Sequence, residues 1–217
     1  MKTNETLQKD VQNALKWEPL LNAAEIGVIA IDGVITLTGT VSSFAKKAEA
    51  EEAAKNVAGV KAVVEKIEIN FGDMFIKNDN EIANDILNAF KWNWEIPSDK
   101  VKVKVEGGWV TLDGDLNWNY QKTAAQKAVS NLKGVSGVSN NLTIKADTKD
   151  KVEKLEIEHA FARNWSLDDK DIQVGVSGNK VTLNGTVKSW YEKDEAGRIA
   201  YNAPGVWTVE NELVVEL

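Results

Sequence analysis

Nucleophilic and metal chemistry have little to draw on in this chain of 217 residues, which has no cysteine and a single histidine, His159. A metal site needs several ligands at fixed spacing. Glu156 and Glu158 do not complete one beside His159, so the histidine reads as a surface residue, and no metal or cofactor is implied. Carboxylates are plentiful, yet Glu49, Glu51 and Glu52 sit among lysines and form a solvated helix face rather than a general acid and base pair. Gly107-Gly108 is not a phosphate loop, because it lies between two strand patterns and lacks the following helix whose N-terminus would hold the anion. No catalytic residue is assigned, and the chain reads as a binding or scaffolding protein rather than an enzyme.

The aromatic residues point to contact chemistry instead. Eight tryptophans is a large number for this length, and Trp92, Trp94, Trp109, Trp118 and Tyr120 cluster near element ends in the middle of the chain. Trp109 points away from the apolar face of its strand, and its counterparts elsewhere are Val34 and Lys180. Trp92 aligns with Trp17 and Trp94 with Trp165. Recurrence at matched positions favours packing for Trp17, Trp92 and Trp165, each closing the end of a helix over the core. The other reading of the whole cluster is a membrane-interface patch or a hot spot for a protein partner.

The elements that position these residues repeat three times. Val34-Ile35-Thr36-Leu37-Thr38-Gly39, Val110-Thr111-Leu112-Asp113-Gly114 and Val181-Thr182-Leu183-Asn184-Gly185 are the same strand, and Gly-Val pairs follow their glycines by the same interval at Gly59, Gly134 and Gly205. Before each strand stands a tight turn, Asp32-Gly33, Gly107-Gly108 or Gly178-Asn179, with an alternating strand ahead of it. Gly39, Gly114 and Gly185 fall on the core face between large apolar residues, where they are expected to let a covering helix approach the sheet. A helix with small apolar residues such as Ala50, Ala125 and Ala196 comes next, then a last strand that must run parallel to the second. Ser189 followed by Glu192 predicts a capping box at the start of that helix in the third copy. An amphipathic segment precedes each hairpin, marked by Leu7, Val11 and Leu15, by Ile82, Ile86 and Phe90, and by Val152, Ile157 and Phe161. The expectation is an α+β chain of three tandem αββαβ modules, each a three-stranded mixed sheet with two helices packed on one face, over residues 1–72, 77–146 and 149–217. Short linkers are expected near Gly72 to Asn80 and Ala146 to Asp150.

This order, with Val-Thr-Leu-x-Gly-x-Val and a late Gly-Val-x-x-Val-x-Asn-x-Leu, resembles the BON family, named for bacterial osmotically inducible and nodulation proteins. The late motif is carried by Gly205, Val206, Val209, Asn211 and Leu213 and by Gly134, Val135, Val138, Asn140 and Leu142, while Glu65 replaces the asparagine in the first copy. Asn140 and Asn211 are expected to satisfy backbone groups beside the last strand. The resemblance implies envelope or osmotic stress protection through binding of phospholipid surfaces, the alternative being a protein interaction or self-assembly scaffold without lipid binding.

Composition bounds the partners. Net charge is -7, which disfavours nucleic acid, and it divides as -3, 0 and -4 over residues 1–73, 74–147 and 148–217, leaving the middle copy least repulsive to an anionic surface. No apolar run reaches the ~20 residues of a membrane span. The polar start, Met1-Lys2-Thr3-Asn4-Glu5, carries no secretory signal, so the sequence as it stands reads as cytoplasmic, with the periplasm the alternative if Met1 replaces a removed export signal.

Overall fold

Asp32 and Gly33 hold φ of 50° and 87°, the left-handed pair that a two-residue hairpin turn requires and that Asp-Gly adopts at little steric cost. The turn joins β1 (Ile26–Ile31) to β2 (Val34–Val41) with Ile31 opposite Val34 and Ile26 opposite Gly39. The computed structural model describes residues 2–72, 77–145, 152–164, 167 and 171–216. Trp165 and the second expected linker lie outside these residues, as does part of the first.

Each module follows the same course. α1 (Asn4–Trp17) precedes the first hairpin, then come α2 (Phe44–Lys55) and β3 (Ala62–Ile69); α3 (Asp79–Trp92), β4 (Val101–Glu106), β5 (Trp109–Leu116), α4 (Asn119–Ser130) and β6 (Gly137–Ile144) form the middle copy. The third copy comprises α5 (Lys154–Ala162), β7 (Ile172–Ser177), β8 (Lys180–Val187), α6 (Trp190–Tyr201), β9 (Thr208–Asn211) and β10 (Val214–Val215). The hairpin strands are antiparallel, the central strand also pairs with the last one, and β5 with β6 and β8 with β9 are parallel. In the first module, Lys61 N–H donates to Gly33 at one end of β3 and Asn70 N–H to Val41 at the other, so β3 runs parallel to β2 as well. The third copy differs from expectation in having its last strand divided. β9 and β10 keep one register on β8, with Glu212 N–H bonded to Leu183 between them, so the division interrupts the assignment and not the pairing.

Strand alternation puts Ile35, Leu37 and Val41 inside, and Val110, Leu112 and Leu116 and then Val181, Leu183 and Val187 match them. The helices cover that face. Leu7, Val11 and Leu15 of α1 recur as Ile82, Ile86 and Phe90 of α3 and, with Val152 ahead of it, as Ile157 and Phe161 of α5, all buried. In the middle copy α3 packs on both α4 and β4, and α4 on β5 and β6. Contacts divide the chain into two compact units, one holding most of the first and third modules and the other the middle module with residues 41–47. Within the first unit, Trp190 Nε1 donates to the Lys61 carbonyl at 2.8 Å.

The anchor glycines have a different cause from the one expected. Gly39, Gly114 and Gly185 hold φ of 125°, 146° and 124°, and a β-carbon on each would overlap the carbonyl oxygen of Glu25, Lys100 or Asp171, the residue just before the first hairpin strand. The crowding group is neighbouring backbone, not a covering helix. The predicted Ser189 cap is present, its hydroxyl accepting from Glu192 N–H at 3.1 Å, but Glu192 returns its carboxylate to Lys188 N–H rather than to Ser189.

Substituting Gly114 tests this account. Gly114→Ala meets both a forbidden φ and a fixed carbonyl and is expected to cost roughly 3 kcal/mol or more, whereas Gly107→Ala, at φ 57° with open space around it, is expected to cost about 1 kcal/mol. Urea unfolding of both variants measures the difference.

Candidate functional site

Helix periodicity decides where the tryptophans go. Ile82, Ile86 and Phe90 face the core at intervals of four, so Trp92, two residues past Phe90, lies about 200° round the helix and points outward. It is 86% exposed, and Trp17, which follows Leu15 in the same way, is 84% exposed. The expected packing role of these two residues is therefore corrected. The side chains that close the helix ends are aliphatic: Ile96 and Leu167 are buried, each with its N–H bonded to the carbonyl three residues back, at Asn93 and Asn164. In the middle module Asn93 caps the turn, its side chain accepting from Glu95 N–H at 3.0 Å. This turn drives Ile96 inward and leaves Trp94 87% exposed. Sequence reasoning passed over Ile96, although its spacing from Phe90 matches that of Leu167 from Phe161.

The chain then enters β4 at Val101, opposite Gly114 near the end of β5, and β5 runs out into Trp118 and Tyr120. Lys100 Nζ to Asn117 Oδ1, at 3.1 Å, ties the two segments. Trp92, Trp94, Trp118 and Tyr120 thus belong to the same end of the module, all exposed. Trp118 stands where the other modules have Ser43 and Ser189, whose hydroxyls accept from the N–H groups of Lys46 and Glu192 at the start of α2 and α6. An indole cannot accept that bond, and losing such a cap costs ~1 kcal/mol. Gln121 compensates in part by accepting from Asn117 and Trp118 N–H, both at 3.1 Å. A large aromatic replacing a capping serine is a signal of use that the sequence contained.

Trp109 does not join this group. It sits at the hairpin end of β5, opposite Glu106 and on the sheet face away from the helices. Its ring lies over Gly137, where any side chain would overlap it, and its Nε1 donates to Ser139 Oγ at 2.9 Å. The five aromatic candidates therefore form a set of four at one end and a lone residue packed on its own sheet. His159 is exposed, and no group of three or more potential ligands capable of holding a metal occurs among the described residues.

The asparagines of the late motif join strand to helix. Asn140 Nδ2 donates to the Lys122 carbonyl at 3.2 Å and its Oδ1 accepts from Leu142 N–H, and Asn211 makes the same bonds to Lys193 and Leu213. Lys122 and Lys193 return the link, their ammonium groups bonding the Leu142 and Leu213 carbonyls at 2.7 and 2.6 Å. Burial pushes the Lys122 ammonium below its usual range. Glu65, at the asparagine's place in the first module, likewise accepts from the N–H two residues on, at Ile67. The BON domain profile matches residues 3–70, 78–146 and 150–216. The chain belongs to the BON-domain family.

Among characterised proteins, this BON-domain chain is similar to osmotically-inducible protein Y of Escherichia coli strain K12, at 30% identity over 139 residues, covering 62% of this chain and 69% of that protein. Among solved structures it is similar at 15% identity to CdsD, a structural protein of the type III secretion system of Chlamydia trachomatis, covering 97% of this chain and 92% of the other with a TM-score of 0.27. At that score nothing follows from the likeness. The second and third BON copies share their strand-to-helix bonds, and all three differ in what they expose, which places individuality on the surface. No helix among the described residues is long and apolar enough to cross a membrane.

Replacing both Trp92 and Trp94 by Ala is expected to change unfolding free energy by no more than about 0.5 kcal/mol, because neither packs. Trp109→Ala, which uncovers Gly137 and leaves Ser139 without its donor, is expected to cost about 1–2 kcal/mol. Chemical denaturation of the purified chain distinguishes them.

Proposed function

We propose that this protein is a non-enzymatic BON-domain protein of the osmotic or envelope stress response that docks reversibly on phospholipid surfaces through Trp92, Trp94, Trp118 and Tyr120 of its middle module. The observation that carries this reading is the near-complete exposure of two tryptophans separated by one residue. Indole rings have an apolar body and a polar N–H, and the headgroup boundary of a bilayer suits both. Burying two such rings contributes on the order of 4 kcal/mol, matching millimolar affinity per contact, so attachment is peripheral and quickly reversed. The zero formal charge of residues 74–147 adds neither strong attraction nor repulsion toward anionic lipid. Similarity to a protein named for osmotic induction supports the stress role.

The test is flotation of the purified protein with zwitterionic and with anionic phospholipid vesicles at low and moderate salt. Wild type is expected to float with a weak salt dependence, the Trp92→Ala, Trp94→Ala double variant to lose at least about tenfold in partitioning, and Trp109→Ala to float like wild type. Tryptophan emission should shift to the blue on binding. No flotation with either vesicle, or equal flotation by the double variant, would overturn the reading in favour of a protein partner.

A further inference from the structure

The hairpin turns of the first and middle modules are built alike but satisfied differently. In the middle module the carboxylate of Asp79, first residue of α3, accepts from the N–H groups of both turn residues, Gly107 and Gly108, at 2.9 Å each. Two successive N–H groups converging on one anion form a nest, and here the protein fills it from its own chain. The first module has Asn4 at that place, the first residue of α1. Its Oδ1 accepts from Asp32 N–H at 2.9 Å, and an amide has no second oxygen to offer. Gly33, the counterpart of Gly108, is buried. Its carbonyl receives the N–H groups of Lys61 and Ala62, while its own N–H has no acceptor among the described residues. A buried donor without a partner is costly, and this one borders a cavity of about 230 Å³ lined by Lys2, Asn4, Leu7, Asp32, Gly33 and Lys61.

A second exchange at the same place has the same sense. Ser136 of the middle module donates its hydroxyl to the Gly107 carbonyl. Lys61 replaces it in the first, with its stem over Gly33 and its ammonium without an acceptor among the described residues. Lys2 is not part of the change, since it pairs with Asp10 at 2.7 Å as Lys77 pairs with Asp85. The first module has thus lost an internal carboxylate and gained a cation beside an unpaired N–H. From this double exchange we infer that the hairpin end of the first module binds the carboxylate of a small organic acid, which takes the place that the Asp79 carboxylate fills in the middle module. One ligand oxygen accepts from Gly33 N–H and the other from the Lys61 ammonium, whose charge strengthens the contact. The bond from Trp190 to the Lys61 carbonyl fixes the backbone of that lysine at the rim. Asp32, which stands where the middle module has Gly107, is exposed at the other side of the rim and opposes an anion. Affinity is therefore modest, with Kd on the order of 1 mM.

Titration of the nitrogen-15-labelled full chain with sodium acetate and with N-acetylglycine at constant ionic strength, followed by amide NMR, tests the inference. The Gly33 amide proton is expected to move downfield and to saturate, while that of Gly108, already bonded to Asp79, stays in place. Lys61→Ser, the residue of the middle module, is expected to weaken binding several-fold. Asp32→Asn, which a turn of this type accepts, is expected to tighten it several-fold. Asn4→Asp supplies the carboxylate from within, so its Gly33 amide is expected downfield before any addition and unresponsive afterwards. A Gly33 signal that neither acid moves, equal shifts at Gly108, or an Asn4→Asp chain that still titrates like wild type would each overturn the inference. Saturation by inorganic phosphate but by neither carboxylate would overturn it too, in favour of a phosphate site. Vesicle flotation reads the tryptophans of the middle module, and its outcome leaves this inference standing.

Discussion

Three carbonyl oxygens, of Glu25, Lys100 and Asp171, stand where a β-carbon would be at Gly39, Gly114 and Gly185. That close approach locks the residue before the first hairpin strand against the far end of the second. The end of the leading helix, the short turn after it and the exit of the central strand are thereby gathered at one end of the module. Without it, neither the aliphatic plug at Ile96 nor the aromatic group around Trp92 and Trp118 would have a fixed base.

The repeat, the hairpins, the parallel last strand and the helical core stripes were legible in the sequence because each rests on a local period or a turn that few residue types can make. The Gly39, Gly114 and Gly185 positions were legible, but their reason was not. Alternation places them on the core face and suggests a helix above, whereas the crowding comes from backbone fourteen residues earlier in the chain, which carries no side-chain signature. Trp17 and Trp92 show the opposite error: the sequence did contain their answer, since residues two past a core position on a helix cannot also face the core. Recurrence at matched places is a weaker guide to burial than that arithmetic. The separation of Trp109 from the other aromatic residues depends on which end of a strand faces which loop, and only strand register supplies it.

The copies show how a small frame can be held constant while its outward positions vary. The asparagine and lysine links between last strand and second helix are made alike in the second and third modules, and Glu65 stands at the asparagine's place in the first. At the start of the second helix, serine caps in two modules and tryptophan stands in the third position at a cost in helix stability. On the open sheet face the same grid carries aliphatic side chains such as Ile29 and Ile31, an indole with its hydroxyl partner, or the ion pair of Lys180 and Glu210. None of these outward choices touches the core, so each was free to follow a separate demand.

The bond from Trp190 to the Lys61 carbonyl spans 129 residues of sequence and joins the first module to the third, with the whole middle module in the intervening loop. Closing so long a loop costs only slowly more than closing a short one, and the middle module shortens it further by folding first. During synthesis the first module emerges early and waits, with the start of β3 uncovered, until the last third of the chain leaves the ribosome. The order of completion is therefore set by connectivity: the inner copy is finished before the outer pair can close, and a chain cut short after the second copy would end with two modules and one unfinished seam.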